Sequence, residues 1–415
     1  MANIRLFKGW RPLPEKVARV ASRPYDVLNS AEARLEAADN PDSFLHVVKP
    51  EIDLPEDINQ YDPKVYQTGR DNFHQLIAAG TFVQDPEETL YVYRQIMDGH
   101  SQLGFFVCVA VEDYVNNLVK KHELTRPDKE EDRKTHVRVS GIHAEPVFFA
   151  YRSQTDLDAI LAKIEAEESP VNDFITEDGV QHTLWAITDE ALCAAVPQLF
   201  AEKVPAVYVA DGHHRTAAAA LVGKEVGDAN PHHTGEESYN YFMAVIFPDD
   251  QLKIIDYNRV VKDLNGLSSA ELLDKLRASF SVEKKGSLYK PAQLHEFSMY
   301  LDGDWYALHA KPDTYNDDDP IGVLDVTILS EQVLEPLLGI KDLRRDKRIE
   351  FVGGIRGLEE LARRVDNGEM KVAFALYPVS MQQLMDIADN DMIMPPKVTW
   401  FEPKLRSGLV VHKWD

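Results

Sequence analysis

Cysteine is nearly absent: Cys108 and Cys193 are the only two in 415 residues, and both stand in apolar surroundings. Such usage excludes a disulfide framework and a cysteine-based zinc site, and it implies a reducing compartment. Long apolar runs are missing as well. The longest, Phe105 to Val111, is far too short to cross a bilayer. The opening residues, MANIRLFKGWRPLP, contain no continuous apolar stretch of the kind a secretory signal needs, so a cytoplasmic protein is the expectation. Positive charge is scarce: 45 Lys and Arg against 69 Asp and Glu leave a net charge of −24. A surface of that sign repels polyanions, so neither nucleic acid nor an anionic membrane is expected as a partner, and any basic cluster is a local device.

What is present is a globular composition, 44% hydrophobic and 27% charged, in a chain long enough for about two or three domains. The most informative stretch is Val204 to Val222, VPAVYVADGHHRTAAAALV. Val204, Val207 and Val209 alternate as in a buried strand, and the alanines that follow are the best helix formers. The junction at Asp211-Gly212 puts His213, His214 and Arg215 in the first helical turn. There the backbone N–H groups lack helical partners and the helix dipole is positive. An anion suits that place: Gly212 allows close approach, Arg215 is a two-pronged donor, and the histidines add donors that can become cationic. Asp211 is then either the helix N-cap or a carboxylate facing a magnesium ion on the ligand's phosphates. The plain alternative is an ordinary capped helix with two surface histidines.

Earlier in the chain, Pro24 holds Arg23-Pro24-Tyr25-Asp26-Val27 extended, giving Tyr25 and Asp26 defined directions, and Ser30 reads as the N-cap of a helix over 31–38. Strands are expected at Leu90–Ile96 and Gly104–Glu112. Next comes the densest charge run, Val119 to His136, VKKHELTRPDKEEDRKTH. Asp128 to Lys134 fits a solvated helix laced with i,i+4 pairs. Lys120-Lys121-His122-Glu123, by contrast, leaves a strand, so its charges converge at one sheet end, where ligands of open α/β sheets sit. Several cations with one carboxylate are what phosphoryl transfer requires.

Strands and helices alternate through Tyr241–Phe247, which indicates an α/β domain. Asn258 to Gly266 reads as a linker-like crossing, and the division is placed at 265, with 1–265 as one domain and 266–415 as an α+β subdomain. His232-His233 lies in a loop without metal-ligand spacing, so no metal held by a protein cluster is expected. Gly353-Gly354 precedes a helix expected at Ile355–Val365 and serves either a tight turn or a second anion cradle. The proline-stiffened end, Met394 to Leu405, presents Lys397, Thr399 and Lys404 beside Trp400 and Phe401.

Taken together, Arg23–Val27, Asn40-Pro41-Asp42-Ser43-Phe44, Lys121-His122-Glu123-Leu124-Thr125, Ala210–Arg215, Phe351-Val352-Gly353-Gly354 and Met394–Phe401 make the chain resemble, over nearly its whole length, a bacterial and archaeal family known as domain of unknown function 1015. Gly212-His213-His214-Arg215 is also similar to the nucleotide-phosphate motif of the ParB/sulfiredoxin superfamily, which includes enzymes phosphorylating free L-serine. The resemblance implies a mixed α/β fold: a ParB/sulfiredoxin-like nucleotide-binding core with additional N-terminal elements and the C-terminal α+β subdomain. His213 stands where sulfiredoxins carry their reactive cysteine, which removes thiol-phosphinate chemistry, and no basic recognition helix of the ParB kind is present.

The activity this implies is a kinase using ATP or ADP with magnesium on a small hydroxylated metabolite, free serine first. Asp211, Gly212, His213, His214, Arg215, Thr216, Lys120 and Arg126 would hold the phosphates. Lys121 and His122 would steady the transferred group, and Glu123 or Asp26 would be the general base. The partners are then nucleotide and acceptor, with a homodimer left open. A non-catalytic nucleotide-responsive protein is the alternative reading, and a ParB-like nuclease the third.

Overall fold

The structure, a computed structural model, describes residues 1–414. The chain forms two compact units, one of Met1–Leu252 together with the chain from Pro403 onward, the other of Lys253–Glu402.

Among the described residues of the first unit, nine strands build a mixed sheet: β1 (Ile4–Arg5), β2 (Leu90–Met97), β3 (His100–Ala110), β4 (Val119–Lys120), β5 (Val147–Tyr151), β6 (Asn172–Ile175), β7 (Gln181–Ile187), β8 (Val207–Asp211) and β9 (Tyr241–Pro248). Their order is β4-β8-β5-β9-β3-β2-β7-β6, with β1 on β3. The central strands are apolar and buried nearly throughout, and alternate side chains share a face, so Phe105, Val107 and Val109 of β3 and Phe242, Ala244 and Ile246 of β9 fill one core. That core is closed by Leu157, Leu161 and Ile164 of α4 (Thr155–Glu167), Val196 and Phe200 of α5 (Glu190–Lys203), and Ala219 and Ala220 of α6 (His213–Ala229). A second apolar cluster, around Phe44, Phe73 and Phe82, gathers the N-terminal elements α1 (Ser30–Ala37) and α2 (Pro63–Ala78).

Two features of the sheet bear on function. β4 pairs with β8 in parallel, Val119 opposite Val207 and Lys120 opposite Tyr208, so both chains leave the sheet at the same end. β8 is antiparallel to β5, and the register shifts between Val209 and Asp211, a bulge that re-aims the strand's last side chain.

The second unit is an α+β layer. Six strands among its described residues, β10 (Tyr257–Val261), β11 (Phe280–Lys285), β12 (Glu296–Leu301), β13 (Asp304–Ala310), β14 (Ile349–Gly353) and β15 (Val372–Leu376), form an antiparallel sheet in the order β11-β13-β12-β15-β10-β14. The stretch read as a linker-like crossing thus contains all but the first residue of β10, which lies one strand in from the sheet edge. Asn258 and Arg259 disguised it: both are buried, and Asn258 Oδ1 accepts from Leu376 N at 3.1 Å while Arg259 donates to the Lys397 carbonyl at 2.9 Å.

Four local expectations are corrected. The first helix is capped by Asn29, whose side chain and Glu32 form a reciprocal capping box, so Ser30 is its first residue and not its cap. The expected solvated helix runs longer, as α3 (Pro127–Ser140), and buries Asp132, Arg133 and His136. The helix expected at Ile355 begins later, because Gly357 takes φ 74° before Leu358–Asp366. Gly353-Gly354 is no cradle either: Gly354 N donates to the Asp256 carbonyl at 2.7 Å, and a Cβ on Gly354 would lie 2.4 Å from the Asp256 carboxylate. No helix among the described residues is long and apolar enough to cross a membrane.

Candidate functional site

The site lies where β4 and β8 leave the sheet. Gly212, at φ 89°, makes the turn that a side chain would strain, and α6 starts at once with His213. Gly212 holds the N-cap position without a side-chain cap, which corrects one reading of Asp211. Asp211 Oδ1 accepts from Gly212 N at 2.8 Å, and its other oxygen is turned toward Lys404 Nζ at 2.9 Å, with an Arg215 nitrogen at 3.9 Å. Helical bonding resumes at Thr216 N, which donates to the Gly212 carbonyl at 2.8 Å. The N–H groups of His213, His214 and Arg215 are therefore the ones without helical acceptors.

Beneath this turn is a buried ionic cluster. The Arg215 guanidinium folds back against Gly212, 3.1 Å from where a Cβ would stand there, and donates to the Pro146 carbonyl at 2.8 Å. The carboxylate of Asp26 stands 4.0 Å from Arg215. Glu145 accepts from Tyr25 N at 2.9 Å and from Ser407 Oγ at 3.1 Å, while Arg133 lies 4.0 Å from Glu145 and 4.0 Å over the Tyr25 ring. Arg133 also pairs with Asp132, which accepts from Tyr66 at 2.9 Å. These charges set one another's states. Burial works to raise Asp211, but Lys404 and Arg215 outweigh it and hold the carboxyl below its usual range. Burial works against the Arg215 charge, and Asp26, Glu145 and Asp211 overcome it. Glu145 is pushed upward by its burial, opposed by Arg215 and Arg133. Removing one member leaves its partners as buried unpaired charges, the costly case.

The histidines, read from the sequence as donors able to become cationic, are held toward their neutral forms by burial. His122, leaving β4, meets His213 edge to face with ring centres 4.4 Å apart, both rings buried. Burial pushes His122 well below its usual value, His213 to about 4, and His214 downward. At neutral pH they are therefore neutral donors or acceptors. His214 Nε2 accepts from Arg126 N at 3.0 Å, which puts its proton on Nδ1. A pH dependence follows. His213 and the buried His136 both fall to about 4 from 6.5, chiefly by burial, so the unfolded chain takes up their protons first. The stability is intact above pH 6.5 and drains away as pH falls toward 4. Urea unfolding followed between pH 7 and 4.5 should show a falling midpoint, less steep in His213→Gln; a flat profile would contradict the burial of these rings.

The remaining anticipated residues divide. Lys121 lies with its ammonium 4.3 Å over the Tyr114 ring, Lys120 ends β4, and Glu123 follows His122, half-buried. Arg126 brings only its backbone to His214; its guanidinium pairs with Asp128 at the surface. Thr216 is fully buried, its hydroxyl donating to the Gly212 carbonyl at 3.0 Å, within the helix. Three residues went unrecognised as members: Glu145, Arg133 and Ser407. A lone acid opening the apolar strand Val147–Tyr151 was the one signal that could have marked Glu145.

Residues 4–327 match the model of a family described as "Protein of unknown function (DUF1015)". No curated protein matches. Among solved structures, the chain is similar to a conserved hypothetical protein from Pyrococcus furiosus at 16% identity, over 73% of this chain and 93% of that one, with a TM-score of 0.35. A mutant free serine kinase in complex with AMP overlaps at 15% identity, over 71% and 87%, with a TM-score of 0.35. C-terminally truncated SbnI from Staphylococcus aureus overlaps at 11% identity, over 72% and 82%, with a TM-score of 0.38. Overlaps at this level carry nothing about chemistry.

Proposed function

The chain belongs to the DUF1015 family, and we propose that it is a nucleotide-dependent phosphotransferase acting on a small hydroxylated metabolite. The observation that carries this reading is the parallel pairing of β4 with β8. It brings the lysine-bearing exit and the amide-rich first turn of α6 to one sheet end, with His122 against His213 at 4.4 Å.

Whether these residues suit a nucleotide's phosphates is tested by the atoms present. Gly212 puts no side chain of its own over the backbone, though it is buried with the Arg215 guanidinium folded against it; the N–H groups of His213, His214 and Arg215 lack helical acceptors, and the helix dipole favours negative charge. Two buried nitrogens, His213 Nε2 and Arg215 Nε, have no hydrogen-bond partner among the described residues; an anion would satisfy such groups. Lys120 and Lys121 supply positive charge from the neighbouring strand exit. Asp211 is committed to Lys404, so magnesium, which supplies charge neutralisation when bound, would be held through the phosphates with Asp211 at most beyond it.

In this reading an acceptor hydroxyl attacks the terminal phosphorus. The new oxygen–phosphorus bond forms as the bond to the nucleotide's bridging oxygen breaks, and the hydroxyl proton passes to a carboxylate. Of the two candidates, Asp26 is exposed and stands 4.0 Å from Arg215 on a turn fixed by Glu145, which favours it over Glu123. The donor in this reading is ATP or ADP. Free L-serine is the first acceptor to try, on the resemblance of Gly212–Arg215 to the superfamily motif.

Incubation of the protein with terminally labelled ATP or ADP, magnesium and a pool of hydroxylated amino acids and sugars tests this. A phosphorylated acceptor is expected. Saturable nucleotide binding without product would replace the enzyme with a nucleotide-responsive regulator, and retention of DNA at low salt would favour the nuclease.

A further inference from the structure

A phosphate seat with an ionised carboxylate at its lip is at odds with itself. Asp211 ends β8 immediately before the turn that opens α6, and a bare negative charge there would repel the nucleotide. The chain answers with Lys404, 193 residues away, whose Nζ lies 2.9 Å from Asp211 Oδ2. Its side chain is 18% exposed and that of Asp211 27%, so the pair is largely withdrawn from water and weakly screened.

Lys404 is also held in place. Its carbonyl accepts from Gln95 Nε2, a fully buried side chain, at 2.9 Å. Two residues on, Arg406 donates to Thr176 Oγ1 at 3.1 Å and lies 3.3 Å from His182 Nε2. Ser407 exchanges backbone hydrogen bonds with Ser22 at 3.1 and 2.9 Å, and its hydroxyl reaches Glu145, the residue that holds the turn bearing Asp26. One short segment therefore touches Asp211 directly and reaches the turn that bears Asp26 through Glu145. A surface lysine paired by chance would not be anchored in this way.

We infer that Lys404 is a positioning residue of the nucleotide site: it neutralises and aims Asp211, so that phosphate binding at the start of α6 depends on the segment Pro403–Ser407. This rests on the nucleotide reading given above and goes beyond it by assigning Lys404 to Asp211 rather than to the ligand. A lysine that touched the phosphate itself would be missed whatever stood at 211, whereas a counter-ion for Asp211 is needed only while Asp211 is charged. The two roles therefore part company in a double-mutant cycle.

The test is ADP binding by calorimetry, in EDTA and low salt, with a melting curve for each variant. Lys404→Met should weaken ADP about 100-fold, since it strips the nearer of two counter-ions from a largely buried charge and leaves Arg215 at 3.9 Å, and Lys404→Arg should restore most of the loss. Adding Asp211→Asn to Lys404→Met should bring affinity back to within about 5-fold of wild type, because a neutral pair repels nothing. Wild-type affinity in Lys404→Met, or a double variant no better than the single one, overturns the inference. If Lys404→Met does not fold, Asp211→Asn alone decides: it leaves a lysine unopposed beside the seat and should bind ADP more tightly than wild type, and looser binding overturns the inference. Failure of the wild-type protein to bind ADP is a separate result, which removes the nucleotide reading and this assignment with it.

Discussion

Arg215→Ala should lower nucleotide affinity by more than about 100-fold and cost about 3–5 kcal/mol of folding stability, because it removes one partner of a buried ionic cluster. Asp26 at 4.0 Å, Asp211 at 3.9 Å and the nearby Glu145 all draw on this one guanidinium. Without it three carboxyl groups lose the counter-ion they share, and the start of α6 turns from a seat for negative charge into a source of it. The loss of the hydrogen bond to the Pro146 carbonyl also frees the strand end that carries Glu145. Arg215→Lys keeps the charge and loses the fork, so it should retain most of the stability while still binding nucleotide poorly. Calorimetry and urea unfolding read the two effects separately. Normal affinity in Arg215→Ala would detach the anion seat from the cluster beneath it.

Asp26→Asn should behave in the opposite way: nucleotide affinity within a few-fold of wild type, and turnover reduced about 10²- to 10⁴-fold, the range a positioned general base supplies. The side chain is exposed, Arg215 keeps Glu145 and Asp211 as counter-charges, and Tyr25 N stays bonded to Glu145 at 2.9 Å. Glu123→Gln serves as the comparison, since the two carboxylates leave the fold from different segments. A turnover loss in Glu123→Gln with none in Asp26→Asn would move the base to Glu123.

The strand, glycine and alanine helix around Asp211-Gly212 were legible in the sequence because every determinant is local: alternating valines, a residue free to adopt positive φ, and a run of small helix formers that packs closely on the sheet. The shared sheet end of Lys120–Glu123 and Asp211–Arg215 was legible only as logic about strand ends, and the register of Val119 on Val207 supplies it as geometry. Three things were out of reach. Lys404 arrives from the far end of the chain, and no periodicity connects it with Asp211. The charge states of His122, His213 and His214 depend on burial, which a motif does not display. Arg133 looked like one more charge on a solvated helix, yet it is buried under Tyr25 because α3 presents one face to the N-terminal segment. The strand Tyr257–Val261 was misread for a related reason: its polar residues are satisfied by partners, such as the Leu376 N–H and the Lys397 carbonyl, that lie more than a hundred residues away.

The most direct test of the central claim is a crystal structure of the protein with a nucleotide soaked in. The phosphates should accept from the N–H groups of His213, His214 and Arg215, with Lys120 or Lys121 on their other side and Lys404 still on Asp211. A nucleotide bound with its phosphates away from the start of α6, or a first turn sealed by the protein's own side chains while nucleotide occupies another site, would contradict the account.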